Sequence, residues 1–83
     1  MVRQALILGE VKSSEKKAGI DVLMETMRKV KGVKEAHLIT GPHDFYLIVN
    51  VKDQSEMNDA VARLREIDGI SSTMTCLVLN PKT

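Results

Sequence analysis

The sequence predicts an α+β sandwich of order βαββαβ, a four-stranded antiparallel sheet with two helices on one face. Three observations predict it. Apolar residues recur at helical spacing twice, at Ile20, Leu23, Met24, Met27 and Val30 and again at Met57, Ala60, Val61, Leu64 and Ile67. Each run is flanked by short apolar stretches of strand type. Each is also closed by a glycine, Gly32 or Gly69, and Ile20 to Met57 spans the same 37 residues as Gly32 to Gly69. One unit, strand–helix–glycine stop–strand, is therefore used twice, which is the ferredoxin-like arrangement.

In chain order, Ala5–Val11 reads as the first strand and the segment from Lys12 to Lys17 as a polar connection, with Ser13 or Ser14 placed to cap a helix. That helix runs from about Glu15 to Lys31 and stops at Gly32, the expected left-handed residue. Val33–Thr40 and Phe45–Lys52 are the second and third strands. The second helix starts at Asp53 or Ser55, with acidic residues in its first turn where the helix dipole favours them. The last strand covers Ser72–Leu79, and Asn80-Pro81 breaks it.

The stretch from Ile39 to Phe45 holds the turn chemistry near mid-chain. Gly41 can take backbone angles closed to other residues, and Pro42 fixes its own φ while steering Gly41 away from helix. Asp44 sits where the third strand begins. On local chemistry it either accepts amides of its own loop or supplies the carboxylate of a small-molecule pocket.

Composition narrows the function classes. With 83 residues, 43% hydrophobic and 28% charged, the chain is of ordinary globular type and long enough for one domain, residues 1–83. A chain of this size buries only roughly 60–65% of its unfolded surface, so a partner subunit is an expected source of stability. The net charge of +1 offers no basic face for nucleic acid. No apolar run approaches the ~20 residues of a membrane span, and the N-terminal segment lacks signal-peptide form. The single cysteine, Cys76, excludes an intrachain disulfide and fits a reducing compartment, so the cytoplasm is the expected location.

The strands are apolar on both sides. Phe45, Leu47, Val49 and Val51 oppose Tyr46 and Ile48, while Leu6 and Leu8 oppose Ala5, Ile7 and Val11. Met74, Cys76 and Val78 oppose Leu77 and Leu79. Helices cover one face only, so the other face expects a second subunit, in a sheet-to-sheet dimer of the dimeric α+β barrel type.

Several stretches resemble one family in order and spacing. Val30-Lys31-Gly32-Val33-Lys34-Glu35-Ala36, Thr40-Gly41-Pro42-His43-Asp44-Phe45-Tyr46-Leu47 and Asp68-Gly69-Ile70-Ser71-Ser72-Thr73-Met74-Thr75 are similar to the C-terminal effector domain of the Lrp/AsnC (feast/famine) transcription regulators, also called the RAM domain. The resemblance implies a homodimer, assembled further into an octamer or another ring. It also implies a free amino acid bound at dimer contacts by Gly41, Pro42, His43 and Asp44, with Thr73 and Thr75 near the same site. Asp44 would accept from the ammonium, and loop amides and threonine hydroxyls would serve the carboxylate. The family's helix-turn-helix domain has no counterpart here. The expectation is therefore a stand-alone effector protein that does not bind DNA itself and works alone or through full-length regulators.

Other chemistry is weaker. His37 and His43 lie six apart across a proline and lack metal-ligand spacing, so no metal or other cofactor is expected. Cys76, alternating in an apolar strand, reads as a small packed residue. The alternatives are an oligomerisation module without ligand, or a small dimeric α+β barrel enzyme such as a monooxygenase or isomerase. The enzyme would draw its pocket from His37, Tyr46 and Asn50, but no acid/base pair with a defined partner is visible, and an enzyme is not expected.

Overall fold

A computed structural model describes residues 3–80, without the side chains of Lys17 and Ala18. The elements are β1 (Arg3–Val11), α1 (Ser13–Ala18), α2 (Asp21–Arg28), β2 (Val33–Leu38), β3 (Phe45–Val51), α3 (Gln54–Glu66) and β4 (Ile70–Leu77). The four strands form one antiparallel sheet in the order β2-β3-β1-β4, the ferredoxin-like topology. Pro81 lies outside the described residues.

The predicted first helix is two helices. Gly19, at φ +115°, breaks it between α1 and α2. The apolar period begins only at Ile20, so Leu23, Met24 and Met27 anchor α2, whereas the polar residues Ser13, Ser14, Glu15 and Lys16 give α1 no apolar stripe to hold it on the same axis. Ser13 and Ser14 lie inside α1 rather than capping it, and Lys12 at the N-cap makes no side-chain cap bond. For α3 the cap is Asp53, whose carboxylate accepts from the Glu56 N–H at 2.9 Å. Glu56 reaches back to accept from Lys52 N at 3.0 Å, so one orphan amide of the helix start, that of Glu56, and the amide just before the cap are both satisfied. Gly32 and Gly69 both take positive φ, +99° and +103°, as the repeated stop requires.

The core lies between the helices and one face of the sheet. Alternation puts Ala5, Ile7, Gly9 and Val11 of β1 and Phe45, Leu47, Val49 and Val51 of β3 on that face, against Met24 and Met27 of α2 and Met57, Ala60 and Leu64 of α3. Phe45 fills the space above Gly9 and is fully buried. The opposite face is uncovered in the single chain. Two cross-strand rows run over it, Ile48–Leu6–Cys76 and Tyr46–Leu8–Met74, bounded by the Gln4–Asn50 hydrogen bond at one end and the Glu10–Ser72 bond at the other. Cys76 is on this face and exposed, contrary to the packed position expected, because none of the described residues covers its side of β4.

Candidate functional site

The loop between β2 and β3 is closed by the Ile39 N–H donating to the Asp44 carbonyl at 2.9 Å. Gly41 turns it at φ +120°, and a Cβ there would meet no atom within 4 Å, so only the backbone conformation requires glycine. Pro42 is exposed and His43 half-buried, with its Nδ1 buried and without a partner among the described residues.

Asp44 ties this loop to β1 rather than to itself. Its N–H donates to the Gly9 carbonyl at 2.8 Å, and its Oδ2 accepts from the Val11 N–H at 2.8 Å. Its Oδ1 lies 3.1 Å from the Lys16 ammonium of α1. The Val11 N–H holds the carboxyl below its usual range, against the opposing effect of burial, and Lys16 and His43 pull the same way as Val11. The hairpin therefore carries a fixed negative charge, a quarter exposed, at the end of the sheet.

Thr73 stands in the cross-strand row Phe45–Gly9–Thr73, so it shares the loop's end of the sheet. It is two strand spacings, about 10 Å, from Phe45. Thr75 pairs with Ile7 one pleat further along and lines a groove of about 490 Å³ between α3 and β4, beside Met57, Val61 and Leu77. Within one chain the structure thus groups Gly41, Pro42, His43 and Asp44, sets Thr73 at the same end, and puts Thr75 in a separate groove.

Sequence reasoning missed Gly9, Val11 and Lys16. Gly9 had a readable signal, since a glycine inside an apolar strand marks a close approach, here by the Phe45 ring. Lys16 had none, being one of several lysines in a polar segment. Of the residues the enzyme alternative draws on, His37 and Tyr46, with ring centroids 5.1 Å apart, lie on the open face, whereas Asn50, whose side chain bonds to Gln4, also lines a cavity of about 460 Å³ with Glu56, Asp59, Ala60 and Arg63 of α3. No cluster of metal-ligating side chains occurs among the described residues.

Comparison with known proteins agrees with this architecture. The family model of the Lrp/AsnC ligand binding domain matches residues 5–82. A homocitrate synthase from Sulfurisphaera tokodaii is 42% identical over 50 residues, which are 60% of this chain but only 11% of that protein. The crystal structure of TTHA0845 from Thermus thermophilus superposes with a TM-score of 0.83 at 24% identity, covering 98% of both chains. The transcriptional regulator NMB0573 of Neisseria meningitidis, solved as an L-Met complex, superposes with a TM-score of 0.80 at 20% identity over 94% of this chain and 50% of that one.

Proposed function

The chain belongs to the Lrp/AsnC ligand-binding domain family, and from that premise we propose that it binds a free amino acid at the Gly41–Asp44 loop and signals occupancy through its assembly. The observation that carries this reading is the Asp44 carboxylate, partly exposed where the Ile39–Asp44 bond closes the loop, within the stretch that the family model matches. An ammonium needs such an anion. Gly41, Pro42 and His43 offer loop backbone beside it, and Thr73 a hydroxyl at the same end of the sheet. Thr75 joins the site only from a neighbouring subunit, since in its own chain it faces another groove.

Assembly is part of the proposal. Leu6, Leu8, Tyr46, Ile48 and Met74 form the uncovered apolar rows of the sheet, and a second copy laid on that face buries them at about 25 cal/mol per Å². Dimers then join into a larger ring, with the loops at their contacts. The output is regulation of amino-acid metabolism, through association with transcription regulators of the same family.

A second reading follows from the 50 residues shared with homocitrate synthases: the domain serves as an amino-acid-responsive module for a biosynthetic enzyme. The two readings differ in partner and agree on ligand class.

The test is isothermal titration against each of the twenty L-amino acids, with mass followed by light scattering. Saturable binding of one or a few at millimolar to micromolar Kd, about −4 to −8 kcal/mol, with a change in mass, supports the sensor. A stable assembly that binds none leaves an oligomerisation module.

A further inference from the structure

The two oxygens of Asp44 do different work. Oδ2 accepts the Val11 N–H at 2.8 Å, a bond to the backbone of the central strand that cannot move without disturbing the end of β1. Among the described residues Oδ1 meets only a side chain, the Lys16 ammonium at 3.1 Å, and Lys16 is half exposed. Oδ1 is therefore the exchangeable oxygen. A primary ammonium already stands where an amino-acid ammonium would have to bind.

We propose that Lys16 is a built-in competitor of the ligand: its ammonium pairs with Asp44 Oδ1, and amino-acid binding displaces it and releases α1 from the hairpin. This rests on the amino-acid reading above. The exchange replaces one N–H donor set by another of the same charge and size, so the carboxylate is never left unpaired. The released lysine returns to water at little cost, because its side chain is already half exposed.

The element that carries Lys16 is suited to such release. α1 has six residues, lacks a side-chain N-cap and ends at the Gly19 break. Its N-terminal end is held to the turn between α3 and β4 by the Lys12 N–H on the Gly69 carbonyl at 2.8 Å and by Lys12–Asp68 at 3.2 Å. Lys16–Asp44 ties its later turn to the loop. Coupling works in both directions: whatever holds α1 against the hairpin lowers ligand affinity, and ligand loosens α1.

The experiment compares the wild-type chain, Lys16→Met and Lys16→Arg, each titrated with the twenty L-amino acids. Hydrogen exchange is followed at the Gly19 amide, which bonds the Glu15 carbonyl across the end of α1. Lys16→Met should bind about two- to five-fold more tightly, the range an exposed ion pair allows, and Lys16→Arg should stay near the wild type. Saturating amino acid should speed Gly19 exchange in the wild type and leave it unchanged in Lys16→Met. Unchanged or weaker binding by a folded Lys16→Met overturns the competitor role and leaves the amino-acid reading standing. Failure of the wild type and both variants to bind any amino acid overturns both.

Discussion

Asp44 and Val11, 33 residues apart in sequence, are joined by a 2.8 Å bond from the Val11 N–H to the Asp44 carboxylate. This bond settles where the hairpin loop sits relative to the central strand. It also means that the residue proposed to meet the ligand's ammonium has a structural duty, so its removal should act on stability as well as on any binding.

Asp44→Ala should lower stability by about 1.5–3 kcal/mol, the range for a hydrogen bond to a charged group, because the Val11 N–H loses its acceptor. Thermal denaturation should show it, at about 4–8 °C in Tm per kcal/mol for a domain of this size. Asp44→Asn keeps an acceptor and should cost less. An unchanged Tm in Asp44→Ala would contradict the anchoring role.

The Asp44 carboxyl is held below its usual range chiefly by the Val11 N–H, so the unfolded chain takes up its proton first as pH falls. The stabilisation is fully present above about pH 4, the unfolded value, and is lost as pH drops through the lower folded value. Urea denaturation between about pH 5 and 2 should show a steeper loss for the wild type than for Asp44→Asn. Parallel curves would contradict the assignment.

Gly9 and Phe45 form a packed pair across β1 and β3. A Cβ on Gly9 would fall on the Phe45 ring, 2.6 Å from Cε2, so Gly9→Ala should cost about 1–3 kcal/mol through overpacking. Phe45→Leu should absorb part of that cost, giving a double-mutant coupling above about 0.5 kcal/mol. Additive effects would show that the ring yields freely.

The sequence made the repeated unit, both glycine stops and the strand faces legible, because periodicity and turn residues are local signals. Every apolar residue from Ile20 to Val30 and from Met57 to Ile67 singled out by spacing is buried or packed against the core. The break at Gly19 was hidden because α1 lacks an apolar period of its own. At the site, Gly41 and Asp44 were legible as turn chemistry. Their partners Val11 and Lys16 were not, since both contacts are made by tertiary folding and leave no mark on residues 12–17 or on the first strand. Cys76 was misread because alternation assigns a side of the sheet but not whether that side is covered.

The proposed sheet-to-sheet dimer predicts that Ile48→Glu lowers the mass seen by light scattering while the circular dichroism of the fold is kept. Ile48 points to the uncovered face, so the charge remains solvated in a lone chain. Cys76, beside Leu6 in the same row, should react slowly with a thiol reagent in the assembly and quickly in Ile48→Glu. Equal mass and equal reactivity would place the interface elsewhere.

The most direct test of the central claim is an amide NMR titration of the chain with each of the twenty L-amino acids. A binding amino acid should shift the amides of Gly41, His43 and Asp44, together with that of Val11, whose N–H donates to the Asp44 carboxylate. Shifts confined to the groove beside Thr75, with the loop unmoved, or no shifts with any amino acid, would contradict it.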